Sequence, residues 1–239
     1  LGVRKPIFSQ SGFEGENTLF GQDQENPFYI KAPVYCMDKK FLVFEGIDGS
    51  GKRTMCKYTQ TLYKKTGTPV ISYQYPDYNS PWGKIIHDFL SDSTDLDATI
   101  QFLTYATDIL KDQEKIRTQL KDNIILADRY ITSTVAFQCA RGVNLEKALQ
   151  FVKLFDVIPP DIIFHMNVSP ETSKKRKKEQ KGELDRHEAD IKFLKKVNDM
   201  YKTLQDKQFL AKKWIEIDAE QNKDTVKAAI KSEIEKIAK

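Results

Sequence analysis

Three glycines and a lysine lie within seven residues of one another: Gly46-Ile47-Asp48-Gly49-Ser50-Gly51-Lys52. Gly46, Gly49 and Gly51 can take backbone angles closed to other residues, so that successive N–H groups turn inward on an anion. Lys52 then adds a point charge suited to the outer phosphates of a nucleotide. A phosphate-binding loop of this pattern normally continues with Ser or Thr, whose hydroxyl holds Mg²⁺. Arg53 stands there instead, and Thr54 comes one residue late, roughly 100° further round a helix. Residues 46–54 (Gly46, Ile47, Asp48, Gly49, Ser50, Gly51, Lys52, Arg53, Thr54) are therefore candidate nucleotide-phosphate ligands, with an incomplete metal set. Asp128-Arg129-Tyr130 is the second candidate cluster. Its carboxylate could hold Mg²⁺ directly or through water, and its guanidinium could bridge two phosphate groups.

These residues need elements to position them. Phe41-Leu42-Val43-Phe44 is a short unbroken apolar run, the mark of a strand buried on both faces. The glycine loop follows at once, and a helix-compatible run from Lys52 ends near Gly67. Further strands are predicted at 69–75, 124–128, 161–168 and 213–217. Helices are expected between them, including one long helix over 98–120. Ser169-Pro170-Glu171 reads as a helix start, with a charged stretch at 174–186 and a long helix at about 187–206. Strands separated by helices define an α/β fold: a five-stranded parallel sheet with helices on both faces. In such sheets ligands bind beyond the carboxyl ends of the strands, where Glu45, Asp48 and Asp128 fall.

The bulk properties narrow the classes. A chain of 239 residues with 40% hydrophobic and 30% charged residues fits one α/β domain, or one domain plus a tail. A net charge of +4 argues against a dedicated nucleic-acid binder. Cys36, Cys56 and Cys139 have no metal spacing and suit a reducing compartment. No apolar run approaches the roughly 18 residues of a membrane span. Residues 1–38 differ from the rest: rich in Gly and Pro, without periodicity, yet carrying scattered aromatics such as Phe8, Phe13, Phe20 and Tyr29. They read as an irregular N-terminal extension that lies on its own domain or on a protein partner, with the domain proper at 39–239. A first residue of Leu rather than Met is read as a processed product, as after loss of an organelle targeting peptide, or as a mere boundary.

Taken together, the motifs resemble thymidylate kinases. FEGIDGSGK (44–52) and DRYITSTVAFQ (128–138) are similar to that family's phosphate loop and Asp-Arg segment. VSPETSKKRKKEQKGELDRHE (168–188) is similar to its mobile lid, about 174–187. The resemblance covers about residues 40–239 and implies a P-loop nucleotide kinase fold that uses ATP and Mg²⁺ to phosphorylate dTMP or a related deoxynucleoside monophosphate. It makes Lys52 the β/γ-phosphate clamp, places Asp48 at the acceptor sugar and metal region, and lets Arg129 bridge donor and acceptor phosphates. Asp128 becomes the candidate Mg²⁺ ligand. Arg176 and Arg186, with Lys175 and Lys178, become lid cations. Tyr105 falls where the family stacks a ring on the base, Ser133, Thr134 and Gln138 where it lines the base pocket, and Tyr78 near the acceptor phosphate.

The departures carry expectations too. Where the family commonly has an arginine after the second strand, this chain offers the Asp77 carboxylate. Where it presents an arginine to the base, this chain has Asp108-Ile109. With Arg53, these changes remove a metal ligand and two cationic contacts, and an Asp near a phosphate adds repulsion. Attenuated activity and loosened thymine selectivity are expected. The alternative reading is a catalytically degenerate accessory subunit of a larger assembly, such as a mitochondrial respiratory complex. That reading puts the chain in the mitochondrial matrix; the cytoplasm is the location otherwise. The family also includes homodimers formed through helices beside the sheet.

Overall fold

The computed structural model describes residues 40–91, 94–181 and 190–237. The expectations placed on residues 1–38, on the lid beyond Lys181 and on Arg186 lie outside the described residues.

Five parallel strands form one sheet: β1 (Phe41–Glu45), β2 (Val70–Gln74), β3 (Ile124–Asp128), β4 (Ile162–Asn167) and β5 (Lys213–Asp218), in the order β2-β3-β1-β4-β5. The central position of β1 explains its unbroken apolar run. Phe41, Leu42, Val43 and Phe44 are at most 1% exposed, with Phe44 stacked on Phe164 of β4. Burying one such side chain contributes roughly 1.5–3 kcal/mol. At the edges the pattern relaxes. β5 buries Trp214 and Ile217 and exposes Lys213 and Asp218.

α1 (Lys52–Lys65) and α9 (Lys223–Ile237) pack against each other, and α1 also covers β1, β2 and β3. α5 (Ile131–Ala140) packs between α3 (Ala98–Leu110), α6 (Leu145–Leu154) and α8 (Ile191–Asp206). Residues 131–138 of α5 are all buried, which is why this short helix shows no polar face. The chain runs from β1 towards β2 on one side and crosses back to β4 on the other. The ends of β1 and β3 therefore border the crevice where ligands bind in open α/β sheets.

The expected helix over 98–120 is two helices, α3 and α4 (Gln113–Gln119). The backbone tightens between them, with the Asp112 N–H on the Ile109 carbonyl at 3.2 Å. Around this step Lys111 Nζ gathers three carboxylates: Asp112 at 2.8 Å, Asp108 at 3.1 Å and Asp77 at 3.5 Å. The charged stretch expected from 174 begins inside α7 (Pro170–Lys181), a helix capped by the Ser169 hydroxyl, which accepts from the Thr172 N–H at 3.2 Å. α2 (Pro81–Leu90) starts on Ser80, whose hydroxyl accepts from the Gly83 N–H at 2.9 Å. It packs so closely on the preceding loop that a Cβ at Gly83 would lie 1.9 Å from the Asp77 carbonyl.

Candidate active site

β1 ends at Glu45 and hands the chain to a loop whose glycines are required on two grounds. Gly46, Gly49 and Gly51 have φ of 137°, 73° and 90°. A Cβ at Gly46 would sit 2.6 Å from the Met166 carbonyl, and one at Gly49 2.7 Å from the Ser173 carbonyl. The loop is thus wedged between the end of β4 and α7, and the Ser173 hydroxyl donates to the Asp48 carbonyl. Gly51 caps α1 without a side-chain hydrogen bond, so the N–H groups of its first turn are left for an anion.

Lys52 is 5% exposed, and its Nζ donates to the Ile47 carbonyl at 2.7 Å. Burial, helped by the Arg129 charge, pushes its ammonium down to about 8 against the pull of Asp48 and Asp128. A phosphate arriving in the loop would relieve that cost.

Arg129 follows β3 with φ 71°, a left-handed conformation uncommon for a side chain of this size. Its guanidinium donates to the Gly46 carbonyl (2.9 Å), the Ser133 hydroxyl (3.0 Å) and Asp48 (2.7 Å). Burial raises the Asp48 carboxyl, but the charges of Arg129 and Lys52 outweigh it and hold it well below the usual carboxylate range. Burial raises the Asp128 carboxyl, with Lys52 opposing.

Beneath these groups lies Glu45, which the sequence places only as a strand-end carboxylate. It is fully buried and lines neither of the two cavities described below. Its carboxylate accepts from the Tyr130 N–H (2.9 Å), the Ser133 N–H (3.1 Å), the Tyr201 hydroxyl (3.0 Å) and the hydroxyls of Thr132 and Ser133. Burial raises this carboxyl and the hydroxyl donors oppose the rise. Glu45 therefore ties β1 to α5 and α8 and fixes Ser133, which in turn holds Arg129.

Two spaces open above the strand ends. A cleft of about 920 Å³ is lined by Asp48, Gly49, Ser50, Gly51, Lys52, Arg53, Thr54, Asp128, Arg129 and Arg176, together with Ala219, Gln221, Asn222 and Lys223 after β5. A narrower cavity is lined by Tyr105, Asp108, Ile109, Ser133, Thr134, Phe137 and Gln138. Asp48, Tyr75, Pro76, Tyr78 and Arg129 border both. The cleft is large enough for a nucleotide. In the cavity wall the side-chain carbonyl of Gln138, a residue 1% exposed, has no hydrogen-bond partner among the described residues.

Of the residues singled out from sequence, Gly46 and Ile47 line neither space; they contribute carbonyls to Arg129 and Lys52. Arg176 donates to the carbonyls of Ala219 (2.8 Å) and Glu220 (3.3 Å), tying α7 to the loop after β5. Asp77 corrects an expectation. It lines neither space: the Lys111 ammonium and the Asn79 N–H (3.1 Å) draw its carboxylate away from the cleft. Asp108 does line the cavity, but it accepts from the Asp77 N–H (2.8 Å) and the Ser80 hydroxyl (2.6 Å) and so pins the loop after β2. The side of the cleft formed by Ala219, Gln221, Asn222 and Lys223 escaped sequence reading because, apart from the single charge of Lys223, nothing there marks a ligand type.

A glycine loop between the central strand and a helix, facing a strand-end Asp-Arg across the crevice of a parallel sheet, defines a P-loop α/β protein of the nucleotide kinase class. The sequence pattern described as thymidylate kinase matches residues 44–230. The chain belongs to the thymidylate kinase family. It is 37% identical over 165 residues to a probable thymidylate kinase of Methanocaldococcus jannaschii, covering 69% of this chain and 81% of that protein. It is 31% identical to a thymidylate kinase of Arabidopsis thaliana, covering 69% of this chain and 61% of the relative. It is 29% identical over 220 residues to one from Dictyostelium discoideum, covering 90% and 91% of the two chains.

Proposed function

We propose that this protein transfers the γ-phosphoryl group of ATP to dTMP, giving ADP and dTDP. One observation carries the reading: the phosphate-loop cleft and the Tyr105 cavity meet at a shared Asp48–Arg129 pair. Donor and acceptor phosphates entering from the two sides would converge there. An acceptor phosphate oxygen forms the new bond to the γ-phosphorus while the bond to the ADP oxygen breaks. Such transfer works by positioning and charge neutralisation.

In this scheme Lys52 and the loop amides hold the donor phosphates, and Arg129 bridges donor and acceptor. Asp48 orients Arg129 and faces the acceptor sugar. Tyr105 offers its ring to the base, with Ser133, Thr134 and Gln138 along the pocket wall and Tyr78 towards the acceptor phosphate. No cluster of three acidic, His or Cys side chains that could hold a metal occurs among the described residues. Asp128, at the end of β3 in the cleft wall, is the residue that would hold Mg²⁺, directly or through water. Bound there, the ion would neutralise phosphate charge.

The engagement of Asp77 and Asp108 with Lys111 and the loop after β2 supports a working enzyme over a degenerate accessory subunit. Incubation of purified protein with Mg-ATP and dTMP, with products separated by chromatography, should yield dTDP and ADP in equal amounts. Lys52→Met should lower the rate by about a thousandfold or more, removing a cation from the transferring phosphates. Failure of the wild-type chain to convert dTMP, or full activity in the variant, would overturn the proposal.

A further inference from the structure

Arg53 occupies the position where a metal-binding hydroxyl is expected, and its side chain is exposed into the cleft. Among the described residues it forms no hydrogen bond or ion pair. Its neighbours do: Lys52 bonds the Ile47 carbonyl, Arg129 bonds Asp48, and Arg176 bonds the loop after β5. Its direction follows from helix geometry. Tyr58 of α1 lies beneath Lys227 of α9, with the ammonium 5.9 Å from the ring. Arg53 is five residues earlier, roughly 140° round the helix, and so faces away from α9. On that side the cleft is walled by Gln74, Tyr75, Pro76 and Tyr78, from the end of β2, and by Asp128 of β3. The Arg53 charge is felt by the Asp128 carboxyl, which fits that placement.

This is where the cleft joins the Tyr105 cavity. A monophosphate there carries close to two negative charges. Of the residues bordering both spaces, Arg129 is the cation, and its charge is already shared with Asp48. Asp77, on the facing loop, is paired at 3.5 Å with Lys111, an ammonium it shares with Asp108 and Asp112.

We infer that Arg53 is the second cation for the acceptor's phosphate, reaching it from the first turn of the phosphate-loop helix rather than from the loop after β2. The inference rests on reading the Tyr105 cavity as the monophosphate site. It also turns the missing hydroxyl from a defect into a substitution of task.

The test compares wild-type protein with Arg53→Ala and Arg53→Thr, the latter restoring the hydroxyl. Steady-state kinetics should show KM for dTMP raised about tenfold or more in both variants, as for loss of one charge-assisted hydrogen bond, with KM for ATP changed by less than about threefold. Calorimetric titration without ATP should show dTMP binding weakened to the same degree and thymidine, which has no phosphate, binding unchanged. A selective rise in KM for ATP, an equal loss for dTMP and thymidine, or a gain in activity in Arg53→Thr would overturn the inference. If the wild-type chain transfers no phosphoryl group yet binds dTMP in an Arg53-dependent manner, the inference stands and the proposed activity falls.

Discussion

Lys52 keeps its charge in a place that penalises it. Burial brings its ammonium down to about 8, so the proton is lost as pH rises through that value. Phosphates bound in the loop favour the charged form and move the loss to higher pH. The kcat/KM for ATP reports the free enzyme, so it should fall above about pH 8 as a single group titrates, while kcat holds to higher pH. Initial rates from pH 6.5 to 10 would check this. A kcat/KM for ATP that stays flat to pH 10 would contradict the lowering of the Lys52 ammonium by burial. At this scale the sequence was legible where residue type alone dictates behaviour: glycines at positive φ, a lysine at a helix start, an Asp-Arg at a strand end. It misled where direction matters. Asp77 looks like a carboxylate aimed at a phosphate until Lys111, 34 residues away in the chain, turns it aside. Side-chain direction depends on a partner that local pattern does not name.

The elements around the site are joined by one buried carboxylate. Glu45 ends β1, and its five donors come from the start of α5 and the middle of α8, so strand and helices share a single polar node. Glu45→Ala would leave those donors unsatisfied in a dry interior, costing roughly 3 kcal/mol and lowering Tm by roughly 6–12 °C. Thermal unfolding followed by circular dichroism would measure it. A Tm within about 2 °C of the parent would show that the node does not bind these elements together. Gly49 ties a second set: with its Cβ position 2.7 Å from the Ser173 carbonyl and φ at 73°, it lets α7 press on the phosphate loop. Gly49→Ala should therefore weaken ATP binding by about tenfold or more as the loop is forced from α7, measured by titration with ATP. An unchanged ATP affinity would mean the loop tolerates that displacement. Element existence was readable here because strand periods and caps are local. The break between α3 and α4 was not, since Leu110-Lys111-Asp112 holds no Gly or Pro. The chain yields there around a charge cluster assembled in three dimensions.

The whole molecule is a parallel sheet whose order reverses beside β1, so the loops after β1 and β3 face each other across one crevice. All five strands were legible to within about two residues: β1, β3 and β4 as largely apolar runs buried on both faces, and the edge strands β2 and β5 as short mixed runs between helices. Their order was not, because strand neighbours depend on crossovers that leave no mark in sequence. That order is what brings Asp48, on the loop after β1, within 2.7 Å of Arg129, on the loop after β3, and so joins cleft to cavity. Phosphoryl transfer requires that junction to hold donor and acceptor at once. A single molecule carrying adenosine and thymidine at the two ends of a five-phosphate chain would span both spaces. Titrated calorimetrically against the wild-type protein, it should bind at least about a hundredfold tighter than ATP or dTMP alone and be displaced by either. An affinity no better than that of one half, or displacement by only one of the two nucleotides, would contradict it.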